Sequence, residues 1–140
     1  MKHSPIIFFI DDDPDDQYLV RRAMQQLDFN VELVGFESSE RLFSHLNHSD
    51  PILPDFILLD LNMPMISGKD VLKKLKGSTT LSTIPCIIFT TSHSDRDVEE
   101  SYLLGANSFI IKPGTFAQTV KIMQQLCEYW LNTVTLKAKD

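Results

Sequence analysis

Cysteine is scarce: Cys86 and Cys127 are the only two among 140 residues. Their separation makes neither a zinc site nor a dithiol redox motif, so both read as free thiols of a reducing, cytoplasmic compartment. Long apolar runs are missing too. None reaches the roughly 18 residues of a membrane span. Pro5 to Ile10 is too brief for a signal-peptide apolar region, and no small-residue cleavage site follows it. Glycine is sparse, at five residues, and absent from the turn Ile10-Asp11-Asp12-Asp13-Pro14. That turn lacks the backbone freedom to wrap a phosphate directly, which disfavours nucleotide binding. Basic charge is in deficit. Lys and Arg number 13 against 19 Asp and Glu, a net charge of −6, the wrong sign for a nucleic-acid-binding surface.

What remains is a chain of ordinary globular composition, 43% hydrophobic and 23% charged. Its length fits one domain with a core that needs no staples. The acidity is local. Asp11, Asp12, Asp13, Asp15 and Asp16 fall within six residues, and without these five the remaining 14 acids face 13 bases. The excess of negative charge is therefore one short segment.

Apolar, β-favouring runs alternate with helical patterns five times. Strands are expected at Pro5–Ile10, Val31–Phe36, Asp55–Asp60, Ile84–Thr90 and Ser108–Lys112. Helices follow each of them. Asp13 caps the first, with Pro14 at its first position and Asp16 at capping-box spacing. Leu19, Val20, Ala23, Met24 and Leu27 give it a 3.6-residue period. The second spans Ser38 to Asn47, and Ser67 opens the third, which ends near Gly77. Ser94 and Asp97 form a capping box for the fourth, stopped by Gly105. Thr115 and Gln118 open the fifth, which runs to about Thr133. Continuous apolar strands alternating with helices mean a parallel sheet covered on both faces, a doubly wound α/β fold. Residues 1–134 read as one domain and 135–140 as a short tail, with no output domain.

In such a sheet, ligands sit beyond the C-terminal strand ends. There the chain places Asp11 and Asp12, Asp60, Thr90 and Lys112, polar residues emerging from apolar runs. Any one of them alone reads as a cap or a solvated turn residue. Five at equivalent ends read as a site. Three carboxylates about 5 Å apart repel by roughly 3 kcal/mol per pair at an effective dielectric of ~20. Lys112 offsets one of the charges, and a divalent cation would balance the rest. The donors are hard oxygens without clustered His or Cys, which favours Mg²⁺ over zinc. A carboxylate beside Mg²⁺ and an ammonium can act as a nucleophile toward a phosphoryl group.

The motifs Phe9-Ile10-Asp11-Asp12, Leu59-Asp60-Leu61-Asn62-Met63-Pro64, Ile88-Phe89-Thr90-Thr91 and Ile111-Lys112-Pro113, in this order and at this spacing, resemble the response-regulator receiver domains of two-component signalling. The resemblance spans residues 5–134. It implies a flavodoxin-like sheet of order 2-1-3-4-5. It implies that Asp60 accepts the phosphoryl group, with Asp12 as a direct Mg²⁺ ligand and Asp11 holding the ion through water. Asn62 would add its backbone carbonyl. Thr90 and Lys112 match the switch hydroxyl and the phosphate-binding lysine, and Phe109 the aromatic switch position. It also makes Lys112–Pro113 a candidate cis bond, and Gly68 the residue that allows a tight path into the third helix. Two positions depart from the family pattern. Thr91 stands where alanine is common, which narrows access to the site. Gly114-Thr115 stands where an aromatic is common, which reshapes the last loop.

The implied phosphodonor is a sensor histidine kinase or a histidine phosphotransfer protein. The ending Glu128-Tyr129-Trp130-Leu131 resembles stand-alone receivers that partner sensor kinases, phytochrome-type ones among them. The last helix carries two apolar sets, Phe116, Val120, Met123, Cys127, Trp130 and Val134 beside Ile122, Leu126, Tyr129 and Thr133. One set covers the sheet. The other is either a wide core stripe or, with the fourth helix and fifth strand, a docking or homodimer surface. Lys69, Lys73, Lys74 and Lys76 read as a solvated basic face of the third helix. His3, His45, His48 and His93 have no ligand spacing. Asp13, Asp15 and Asp16 read as capping residues favouring the positive end of the first helix, which leaves the site at −2 with Lys112 and neutral with one Mg²⁺. Two rival classes are a phosphohydrolase of the haloacid-dehalogenase type and a phosphorylation-independent binding module. The first needs an acid where Asn62 stands.

Overall fold

The computed structural model describes residues 4–139. His3 and Asp140 lie outside the described residues. Five strands and five helices alternate: β1 (Ile6–Ile10), α1 (Pro14–Gln25), β2 (Glu32–Phe36), α2 (Ser39–Leu46), β3 (Phe56–Leu59), α3 (Gly68–Gly77), β4 (Cys86–Thr90), α4 (Asp95–Leu103), β5 (Ser108–Ile111) and α5 (Phe116–Cys127). The sheet order is β2-β1-β3-β4-β5 and every pairing is parallel. These are the class and the order that the motifs implied.

Alternate side chains along each strand feed two apolar layers. Phe8, Ile10, Ile57, Leu59 and Ile88 face α2 and α3, meeting Leu42, Val71, Leu72 and Leu75. Ile7, Phe9, Phe56, Leu58, Ile87 and Phe89 face α1 and α5, meeting Val20, Ala23, Met24, Met123 and Leu126. Each fully buried side chain of this size contributes roughly 1.5–3 kcal/mol, which fixes the strand register. The inward face of α5 is thus Met123, Leu126 and Cys127, while Phe116 and Tyr129 stay exposed. Both thiols are free and buried, and burial pushes them up, Cys86 to about 12 and Cys127 to about 11.

The helix starts are capped by the residues the sequence offers. Ser38, Ser67, Ser94 and Thr115 each accept from the amide three residues on. Gly105, at φ +106°, ends α4. Four expectations need correction. Asp13 caps α1 through the Asp15 amide, and the Asp16 side chain turns to Lys112 instead of closing a capping box. Lys112–Pro113 is trans, like every other peptide bond among the described residues. The last helix changes character before its end, because Glu128–Thr133 continues α5 as a π-helical turn. The third-helix lysines are not simply a solvated face. Lys69 pairs with Asp97 and Glu100 across to α4, and Lys76 donates to Ser82 O, Ile84 O and Asn107 Oδ1. Lys74 lies over the Phe43 ring.

Candidate functional site: an acidic pocket at the sheet edge

The site residues leave the sheet at adjacent strand ends, and backbone bonds lock them there. Asp11 N–H donates to Phe36 O at 3.0 Å, Asp60 N–H to Ile10 O at 3.0 Å, and Lys112 N–H to Thr90 O at 2.7 Å. β1 lies between β2 and β3, so Asp11 and Asp60 flank the point where the strand order reverses. This is where open α/β sheets bind ligands.

Asp11 and Asp60 are buried, and Asp12 is exposed at the mouth. Each offers one carboxylate oxygen, and the three oxygens lie within 4.8 Å of one another. An all-oxygen set of this spacing, open on one side, suits a hard divalent cation such as Mg²⁺. Burial pushes the Asp11 carboxyl up to about 6. Bonds from Lys112 and the Asp13 amide act against that rise, and the Asp60 charge adds to it.

Lys112 reaches across from β5. Its Nζ lies 2.7 Å from Asp11 Oδ2, 2.6 Å from Asp16 Oδ2 and 3.7 Å from Asp60 Oδ2. Burial pulls this ammonium down. Its bonds to Asp11 and Asp16 and the charges of Asp11 and Asp60 outweigh that effect and hold it at about 12. The buried Thr90 hydroxyl accepts from Asn62 Nδ2 and from Ser92 N–H, both at 3.4 Å. Asn62 N–H also points at Asp60 Oδ1, at 3.4 Å. Phe109 is partly buried against the layer that faces α2 and α3. Thr91 is exposed.

All seven residues singled out in the sequence therefore lie at this edge or on the strand leading to it. Two further residues belong to the site and were not singled out as such. Asp16 binds Lys112. Gln17 donates through Nε2 to Phe9 O, Asp11 O and Phe36 O at 3.0–3.2 Å, tying the ends of β1 and β2 to α1. The sequence held a signal for both. The inward stripe Val20, Ala23, Met24, extended back one turn, lands on positions 16 and 17. Polar residues on a core-facing stripe, next to strand ends, have partners there.

The fold and the acidic pocket define a doubly wound α/β domain with three carboxylates at its topological switch point, grouped closely enough to hold a divalent cation. A family model for the response regulator receiver domain matches residues 7–124, and the chain belongs to that family. It is 32% identical to response regulator Rcp1 of Synechocystis sp. over 137 residues, which cover 95% of this chain and 93% of the relative. The crystal structure of the phosphorylated cyanobacterial phytochrome response regulator RcpA superposes with a TM-score of 0.90 at 31% identity, covering 97% of this chain and 100% of that one. The Mn²⁺-bound form of Rcp1 superposes with a TM-score of 0.86 at 31% identity, covering 96% and 99%.

Proposed function

We propose that residues 1–134 act as a phosphorylation switch in which Asp60 accepts a phosphoryl group from a phosphohistidine. The observation that carries this reading is the buried Asp60 carboxylate sharing a pocket with Asp11 and Asp12, with the Lys112 ammonium 3.7 Å away. An Asp60 oxygen bonds to phosphorus as the P–N bond breaks. The bonding pair stays on the imidazole nitrogen, and the imidazole, protonated on its other nitrogen, leaves neutral. Asp11, Asp12, Asp60 and the Asn62 carbonyl would hold Mg²⁺, which when bound supplies positive charge against the phosphoryl oxygens. Lys112 and the Thr90 hydroxyl donate to those same oxygens. As Thr90 swings toward the phosphoryl group, the space it leaves admits the Phe109 ring.

The donor is a sensor histidine kinase or a histidine phosphotransfer protein in the cytoplasm. The likeness to RcpA, a phytochrome response regulator, supports a phytochrome-type kinase. The output surface is the face of α4, β5 and α5, where Tyr102, Leu103, Ile111 and Phe116 are exposed. That face is offered to a downstream protein or to a second copy of the chain.

The test is incubation with phosphoramidate and Mg²⁺ followed by intact mass measurement. One phosphoryl group per wild-type chain and none on Asp60→Asn is expected. Equal labelling of both, or no labelling of the wild type, overturns the reading.

A further inference from the structure

Lys112 has three N–H bonds to give. Two are spent at 2.7 Å on Asp11 and 2.6 Å on Asp16, while Asp60 stands at 3.7 Å, beyond a direct hydrogen bond. Asp16 contributes no oxygen to the cluster of Asp11, Asp12 and Asp60. Among the described residues its contact with the site is the bond to Lys112, made from the first turn of α1. Lys112 is only 10% exposed and Asp16 27% exposed, so solvent weakens their attraction only in part. Counting Asp16, the pocket sets four carboxylates against one ammonium and carries −3 rather than −2.

From this juxtaposition we infer that Asp16 is a positioning residue that restrains Lys112 and opposes occupation of the Asp60 site by a phosphoryl group. The inference rests on the assignment of Asp60 as the phosphoacceptor. A phosphoryl group on Asp60 needs the third Lys112 donor and brings further negative charge. Asp16 works against it twice, by competing for the ammonium and by repelling the anion. For Mg²⁺ the sign reverses, since the extra carboxylate adds attraction for a cation. A residue that merely kept the site folded would move both affinities the same way.

The experiment compares wild type, Asp16→Asn, Asp16→Ser and Asp16→Glu in two titrations, Mg²⁺ alone and beryllofluoride at saturating Mg²⁺. Binding is followed by calorimetry and by the fluorine resonances of the bound anion. Asp16→Asn and Asp16→Ser are expected to bind beryllofluoride roughly tenfold more tightly, and Mg²⁺ roughly threefold more weakly, than wild type. Asp16→Glu restores the wild-type values. In a Lys112→Ala background the gain from Asp16→Asn shrinks, because the route through the lysine is gone. Unchanged or weaker beryllofluoride binding by both neutral variants overturns the inference, as does an equal gain in the two backgrounds. A wild type that binds Mg²⁺ but no beryllofluoride instead sinks the Asp60 assignment, and this inference with it.

Discussion

Gly68 presses against the backbone of Asp60. Its amide donates to Leu61 O at 3.0 Å. A β-carbon at position 68 would overlap the Asp60 carbonyl and stand 2.6 Å from Leu61 Cα. No positive φ is involved, so the constraint is close approach and not handedness. The start of α3 thereby sets the height of the Asp60 carboxylate above the sheet. The backbone there cannot yield as a flexible side chain could.

Gly68→Ala is therefore expected to destabilise the protein by about 2–3 kcal/mol, the scale of overpacking against rigid neighbours. It should also weaken Mg²⁺ binding, because Asp60 must shift. Urea unfolding and Mg²⁺ titration together check this. A stable variant with unchanged affinity would mean that the helix start moves freely.

Gln17 joins three carbonyls at the ends of β1 and β2. Gln17→Leu strips them of a donor at a partly buried place, at an expected cost of about 1–3 kcal/mol. Gly35→Ala reaches the same amide from the other side, since its methyl would overlap Gln17 Oε1. The two substitutions should be strongly non-additive in chemical denaturation. Simple addition of their effects would count against a shared mechanism.

Asp11 is raised from its ordinary value of 3.8 to about 6 by burial. The folded, metal-free protein then holds this proton more tightly than the unfolded chain. The associated stability is fully present below about pH 4 and is lost as pH rises through about 6. Asp11→Asn removes the penalty. It should stabilise the metal-free protein on the order of 2 kcal/mol near pH 7 and leave stability unchanged near pH 4. Unfolding curves in a chelator across this range measure it, and Mg²⁺ should stabilise the wild type more than the variant.

Lys69 bridges α3 to α4, at 2.6 Å from both Asp97 and Glu100. Asp97 in turn accepts from the Ser92 hydroxyl, two residues past Thr90. Lys69→Met is expected to speed amide hydrogen exchange at the start of α4 several-fold while leaving β1 and β3 protected. The partners are partly solvated, so the wild-type pair should also loosen with salt. Uniform protection in the variant would show that apolar packing alone holds α4.

Much of the site was legible because of the strand rule. A polar residue following a continuous apolar run stands at a sheet edge, and a parallel sheet puts every such edge on one side. Asp11, Asp12, Asp60, Thr90 and Lys112 were found that way. The caps were legible for an equally local reason, since each is satisfied within three residues. Asp16 was misread as part of a capping box because its partner is 96 residues away in sequence. Lys69 was misread as part of a solvated face for the same reason, its partners lying 28 and 31 residues on, whereas Lys76 bonds to the nearby Ser82 and Ile84 carbonyls as well as to Asn107.

Residue order alone is enough to place the strands, most helix bounds, the doubly wound class and the edge at which the carboxylates gather. Apolar periodicity, helix caps and strand-end polarity are local properties, and here they agree. Packing sets the rest: Lys112 bonds to Asp11 and Asp16 with Asp60 standing off at 3.7 Å, and Gly68 abuts the Asp60 backbone. It also brings Gln17 to close the ends of two strands. Those facts depend on close contacts between residues of different elements, such as the 2.6, 2.7 and 3.7 Å that separate Lys112 Nζ from Asp16, Asp11 and Asp60. Residue order cannot encode such distances until packing has fixed them.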